Sequence, residues 1–251
     1  MAYHNNPRIV TDGLVLCLDH TASPAISSSP YRNLANASTT ITNTDFTVVD
    51  GIFRSNASGG AGTSEFTFSG NEITTGSLTV QWFMKVTSSP NVGSNNNWCR
   101  LIATSGGSRV PFGFVLEQSY YINFTVDTST GNKRFLNSQF TPYQATANTW
   151  EMHTFTYDKS SGFAACYRNT TSIRSGPMTG DSSGGSATTA GEGMDNLTTG
   201  TTMAISNASS SNPNGDACLP CDLGPWLIYN KALSSAEILK NYNAHKSRFG
   251  L

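Results

Sequence analysis

Residues 223–251 read LGPWLIYNKALSSAEILKNYNAHKSRFGL, and this stretch decides the fold. It opens with a short apolar strand, the end of residues 222–229. Ser234 then stands three residues before Glu237, an S-x-x-E capping box that starts a helix. Leu233 before the cap and Ile238 four residues after it fit a hydrophobic staple. Ile238, Tyr242 and His245 share one helical face, with Leu239 flanking it. Lys240, Lys246 and Arg248 lie toward the end where cations suit the helix dipole. Gly250 closes the element.

Working back from that helix, no helical period appears. Short apolar runs alternate with Gly, Asn, Asp and Ser turns, the pattern of an all-β chain. Residues 13–19 form a nearly continuous apolar strand. Residues 45–53 read as one strand closed by Asp50-Gly51. Residues 77–86 set Leu78, Val80, Trp82, Met84 and Val86 against mostly polar partners, which places Trp82 in the core. Trp150 is also assigned there. Residues 150–157 alternate Trp150, Met152, Thr154 and Thr156 with Glu151, His153, Phe155 and Tyr157, and either set could face inward. Residues 163–168 return against them through the turn DKSSG. Residues 175–200 (SGPMTGDSSGGSATTAGEGMDNLTTG) hold almost nothing apolar to bury and read as a surface excursion. The organisation is an N-terminal arm, residues 1–10, and a single domain, residues 11–251. The lone helix is expected to cover an edge or end of a sheet and protect it from pairing with another chain.

Composition narrows the function. Of 251 residues, 37% are apolar and only 12% charged, with a formal net charge of -1. Solubility must come from Ser, Thr, Asn and Gly. No basic cluster exists of the kind that phosphate binding needs, so nucleic acid is excluded as a partner. No apolar run approaches the roughly 20 residues that span a bilayer, so membrane insertion is not expected. MAYHNNPRIV has no apolar signal core, and synthesis in a cytoplasm follows. Cys17 and Cys166 lie within strand patterns and read as buried free thiols.

The chemistry-bearing patterns are sparse. Glycoside hydrolysis needs two carboxylates about 5–9 Å apart. Glu192 and Asp195 come nearest, in the Gly-rich excursion, and no enzyme activity is expected. Cys218-Leu-Pro-Cys221 has zinc-ligand spacing but lacks a second pair. His4, His20, His153 and His245 are scattered. Trp98, preceded by Asn97, and Tyr120 beside Tyr121 combine aromatic faces with amides, the chemistry of sugar contact.

Several segments together resemble the laminin-G-like, concanavalin A-like jelly rolls. RIVTDGLVLCLD (8–19) resembles the family's early "GLVL-x-LD" strand. WLIYNKALSSAEILKNYNAHKSRFGL (226–251) resembles its closing strand and helix. SLTVQWFMKV (77–86), TWEMHTFTYDKSSG (149–162) and MAISN (203–207) resemble intermediate strands in the same order. The resemblance implies an all-β antiparallel β-sandwich, a concanavalin A-like jelly roll, with a short C-terminal α-helix. YRNLANASTTITN and FTFSGNE stand where relatives carry acidic segments that can help bind calcium. No cofactor is therefore expected, and Asp19 remains the candidate cation ligand.

The closing RFGL and the opening NPRIVTDGLVL are similar to virion proteins of tailed bacteriophages, including marine ones. That similarity implies a non-enzymatic virion structural protein made in the host cytoplasm, decorating a capsid. Its partners would be capsid or other virion proteins, with a possible homo-oligomer, and Tyr3, His4 and Arg8 of the arm are candidate interface residues. The alternative is a tail or tail-fibre adhesin that binds host-surface carbohydrate through Trp98, Asn97 and Tyr120. Residues 91–98 and 175–200 discriminate the two: clustered at one end, they favour the adhesin.

Overall fold

The computed structural model describes residues 8–19, 31–36, 39–44, 46–55, 65–70, 73, 76–87, 98–104, 112–117, 120–128, 131–136, 143–180, 186–194, 202–205 and 221–251. The first strands are β1 (Leu14–Leu18), β2 (Tyr31–Arg32), β3 (Thr40–Thr44), β4 (Phe46–Val49), β5 (Ile52–Ser55) and β6 (Glu65–Ser69). The middle of the chain supplies β7 (Leu78–Val86), β8 (Trp98–Thr104), β9 (Phe112–Glu117), β10 (Ile122–Thr128) and β11 (Gly131–Leu136). Then follow β12 (Trp150–Asp158), β13 (Phe163–Arg168), β14 (Thr171–Pro177), β15 (Thr179–Gly180), β16 (Thr202–Ile205) and β17 (Cys221–Tyr229). Helix α1 (Ser235–His245) and a 3-10 turn (Lys246–Phe249) come last.

The strands form two antiparallel sheets packed as a sandwich, as the sequence implies. Sheet A runs β14-β13-β12-β7-β17-β5-β4, with β1 alongside the upper part of β17. Sheet B runs β15-β11-β10-β9-β8-β16-β6-β3-β2. Alternation on each strand sends one set of side chains between the sheets. Leu78, Val80, Trp82, Met84 and Val86 of β7 all lie there. Trp82 stacks on Trp226 at 5.1 Å and on Phe114 of the opposite sheet at 5.6 Å. Phe124 stacks on Phe155 at 4.9 Å, a second bridge between sheets.

The inner face of β12 is Glu151, His153, Phe155 and Tyr157, all buried. Trp150 faces the other way and is half-buried against Phe249, with ring centroids 4.5 Å apart. Residues 45–53 are two strands, not one. Asp50 and Gly51 both have positive φ, 52° and 76°, and turn β4 back onto β5. Asp-Gly favours that two-residue hairpin.

The helix does not guard an edge. It lies on the outer face of sheet A, over central strands. Val10, Cys17, Phe83, Met152, Leu227, Tyr229, Leu233, Ile238 and Phe249 form one buried cluster there. This second layer explains why all nine residues of β17 are buried. The capping box is present, with Ser234 Oγ accepting from Glu237 N and Glu237 Oε2 accepting from Ser234 N at 2.9 Å. The buried helical stripe is Ile238, Asn241, Ala244 and His245, while Leu239 is exposed. Asn241 was not expected. Its Nδ2 donates to Gln81 Oε1 (2.6 Å) and Tyr229 OH (2.9 Å), and its Oδ1 accepts from Val10 N (2.7 Å). Satisfied in this way, a buried amide locks the helix to the sheet. Ile9 and Val10 pack in the same layer, so the domain begins before residue 11.

The described residues of 175–200, namely 175–180 and 186–194, are not a free excursion. β14 and β15 occupy the first part, and Met178, Thr188, Glu192 and Met194 are buried. Cys17 and Cys166 are buried free thiols, and burial pushes each up to about 12.

Candidate functional site

Strand register sorts the loops to two ends of the sandwich. Trp98 pairs with Glu117, and Leu116 pairs with Ile122, so Trp98, Tyr120 and Tyr121 share one end of sheet B. Met194 bridges to Thr128 at the opposite end of β10. Seven residues of strand separate these ends by roughly 20 Å. Trp98 and the described residues 186–194 therefore lie at opposite ends, while residues 91–97 and 195–200 lie outside the described residues.

The Trp98 end is continuous across both sheets. Ala145 N donates to Tyr120 O at 2.9 Å, and Asn148 N donates to Val86 O at 2.8 Å. The segment between them thus ties the β9–β10 turn to β7 of sheet A. Ser55, Val86, Trp98, Ile205 and Cys221, five strand ends, all lie on this side. Tyr120 has φ 67° and is half-buried, packed against the inner core. Trp98 opens β8, and Asn97 lies outside the described residues.

Behind Tyr120 sits a buried polar group. Tyr143 OH lies 2.7 Å from His153 Nδ1 and 2.8 Å from Tyr167 O. A phenol has one proton. Both contacts are hydrogen bonds together only if Tyr143 donates to Tyr167 O and accepts from His153 Nδ1–H. Burial, with Arg168 nearby, pulls His153 down to about 3, so the ring is neutral. Desolvation likewise raises Tyr143 well above an ordinary tyrosine. Glu151 accepts from Thr146 N (2.9 Å) and Thr146 Oγ1 (2.7 Å), and its Oε1 lies 3.5 Å from Arg168 Nε. Arg168 also donates to Gln144 O. The group fixes residues 143–146, and through them the turn that carries Tyr120.

The outer face of sheet A ends, on this side, in a row that sequence reading missed. Thr47, Arg54, Asp222, Lys85 and Trp150 are successive cross-strand partners on β4, β5, β17, β7 and β12. Asp222 is buried, with Oδ1 3.0 Å from Arg54 Nε and Oδ2 2.9 Å from Lys85 Nζ. Lys85 Nζ also lies 5.6 Å from the Trp150 ring centroid. The partners are distant in sequence, so only the register of the folded sheet could reveal the row.

The remaining expected residues lie elsewhere. Both oxygens of Asp19 accept from Arg248 Nη1, at 3.1 and 2.9 Å, which ties the end of β1 to the C-terminal turn. Glu192 accepts from Thr128 Oγ1 at 2.5 Å and from Thr189 N at 3.1 Å, in the anchored segment. Asp195, Cys218, His4, His20 and Tyr3 lie outside the described residues. Arg8 is exposed. Among the described residues no group of three His, Cys, Asp or Glu side chains stands ready to hold a metal ion.

Residues 59–239 match the profile of the Concanavalin A-like lectin/glucanases superfamily. The chain belongs to this superfamily. Solved structures agree on the fold of the superfamily domain. The binding domain of Paraclostridial Mosquitocidal Protein 1 aligns with TM-score 0.63 at 17% identity, covering 94% of this chain and 53% of that one. The receptor binding domain of botulinum neurotoxin mosaic serotype C/D gives 0.60 at 14% identity, covering 92% and 51%. Trypanosoma rangeli sialidase in complex with sialic acid gives 0.60 at 12% identity, covering 94% and 33%. This concanavalin A-like chain thus spans between a third and about half of the chains it resembles. No curated protein matches it.

Proposed function

We propose that this domain is a non-enzymatic surface module that binds carbohydrate at the Trp98 end. The observation that carries this reading is that Trp98, Tyr120 and Tyr121 belong to one end of sheet B, where the turn bearing the two tyrosines is braced from behind by the Tyr143–His153 group. A rigid aromatic rim suits a sugar ring, which offers one apolar face and a ring of hydroxyls. Two carboxylates at this end, Glu151 and Asp222, are engaged by cations or loop donors and so are not poised as a catalytic pair. The mosquitocidal and botulinum chains of the same fold are binding domains by title, which supports the reading without identifying a ligand.

The setting in this proposal is a phage particle. The low charge and the similarity of both termini to tailed-phage virion proteins support a place on the virion surface, as a capsid decoration or a tail adhesin. The test is a glycan array probed with the purified chain. Binding that Trp98→Ala and Tyr120→Ala each weaken is the expected result. A chain that binds no glycan, or binds one equally well after both changes, overturns the carbohydrate reading and leaves decoration alone.

A further inference from the structure

We propose that His153 is an acid-operated latch: taking up a proton there releases residues 143–146 and frees the turn that carries Tyr120. Its mechanics are independent of the ligand that this end takes.

The ring is pinned by its face and gated at its edge. One face stacks on Trp82, with centroids 5.4 Å and planes 26° apart. The edge meets the segment before β12: Nδ1 lies 2.7 Å from Tyr143 OH, and the Tyr143 ring crosses at 79°. Nε2 is buried and, among the described residues, has no hydrogen-bond partner. It lies 3.7 Å from Glu151 Oε2. That same oxygen accepts from Thr146 N at 2.9 Å. With its proton on Nδ1, the neutral ring turns a lone pair toward the carboxylate, and no hydrogen joins them. A second proton lands on Nε2 and turns the gap into an attraction. Closing it to the roughly 2.8 Å of a charge-assisted bond draws Oε2 off Thr146 N.

The charges around the ring leave no place for that proton while the segment is down. The titratable groups facing it are Glu151 on its own strand, Arg168 and Cys166 on β13, and Tyr143. β7 and β10 contribute Trp82 and Phe124, which do not titrate. Glu151 is already matched by Arg168, whose guanidinium also lies over the Tyr143 ring, 5.5 Å from its centroid. Cys166 and Tyr143 stay neutral, because burial raises both. A protonated His153 is therefore a surplus cation in a buried site. Burial, with Arg168 second, holds the folded ring down to about 3. Once the segment lifts and water reaches the ring, it titrates near the ordinary value of about 6.5. Each pH unit below that favours the lifted form about tenfold, until the folded value is reached.

The latch holds a strained turn. Tyr120 has φ 67°, a left-handed conformation that costs an aromatic residue energy. Its carbonyl accepts from Ala145 N at 2.9 Å, and Tyr143 O accepts from Ile122 N at 2.9 Å. Tyr121 and Gln144 form an isolated bridge between them. Lifting residues 143–146 removes these contacts together and lets Tyr120 relax.

The experiment is native-state hydrogen exchange on the full chain at pH 7, 6 and 5, each in a low-urea series. The amides read are Ile122, Ala145 and Thr146, with Val80 and Trp82 of β7 as the core reference. Protection factors, which divide out the intrinsic pH dependence of exchange, should fall roughly 25-fold for the three between pH 7 and 5. Their opening should depend weakly on urea, whereas the β7 amides should follow global unfolding. His153→Gln keeps a donor for Tyr143 and cannot titrate in this range, so it should abolish the fall. His245→Gln should leave the fall intact. The latch is overturned if the three amides share the β7 urea dependence at every pH, if their protection holds to pH 5, or if His153→Gln shows the same fall. Should His153→Gln not fold, His245→Gln decides: a fall that persists supports the latch, and one that disappears assigns it to His245 and overturns it.

Discussion

The two ends of the sandwich use polar residues in opposite ways. At the Met194 end, polar groups are turned inward and consumed by one another. Glu192 is held by Thr128 and Thr189, and Lys133 Nζ lies 3.9 Å from its carboxylate and donates to Ser186 O at 2.8 Å. Thr188 accepts from Met178 N and donates to Gly162 O. At the Trp98 end, aromatic and cationic groups sit half-buried or exposed above a buried brace. The comparison teaches that a Gly/Ser-rich stretch is not thereby a binding loop: its described residues 186–194 form a plug, and the proposed site lies across the molecule.

The largest effect should come from breaking the plug. Lys133→Met removes the cation 3.9 Å from the buried Glu192 carboxylate and should cost about 3–5 kcal/mol, measured by denaturant unfolding. Adding Glu192→Gln should recover part of that loss, because the orphaned charge goes with it.

Acid should act next, and at the other end. His153 is held down to about 3 and His245 to about 4, chiefly by burial. Both folded values lie below the usual value of roughly 6.5 for an unfolded histidine. Their contribution is therefore complete above that value and is lost as pH falls toward 3–4. At about pH 4.5 each should have lost about 2 kcal/mol relative to neutral pH. Urea midpoints across this range test it, and His153→Phe should flatten the slope.

Gly162→Ala should cost about 1–3 kcal/mol. Gly162 has φ 71°, and an added Cβ would stand 2.4 Å from Thr189 O, backbone that the plug holds in place. The smallest effect sharpens the contrast. Arg54→Gln alone removes a half-exposed partner while Lys85 still faces Asp222, and should shift stability by less than about 1 kcal/mol. A large loss there would mean that the row is a structural clasp like the Lys133–Glu192 pair.

What could be read in the sequence was whatever depends on near neighbours. The capping box at Ser234 and Glu237, the alternation on β7 and the hairpin across 158–162 are all short-range patterns, and each is present. The inner face of β12 stayed open because Glu151 and His153 are polar yet point inward, where Tyr143 and Arg168 receive them. The Asp50-Gly51 turn is a local signal too, but with only Ile52 and Phe53 read beyond it, it reads as the close of one strand rather than the tip of a hairpin. The role of Asn241 has no local signature, because its partners Gln81 and Val10 are far away in the chain. The candidate aromatics Trp98 and Tyr120 were named for their type, and register placed them together. The Arg54–Asp222 pairing spans 168 residues and has no local signature.

The position of β17 has a consequence for synthesis. It is the final strand in chain order, yet it sits in the middle of sheet A, flanked by β7 on one side and by β1 and β5 on the other. Until it arrives, β1 has no described partner and Trp82 lacks the indole it stacks on. Such long-range closure is slow, and an open, half-built sheet is prone to stick to its neighbours. A ribosome-tethered chain should accordingly stay protease-sensitive until residues 221–251 have cleared the exit tunnel, then become resistant in a single late step.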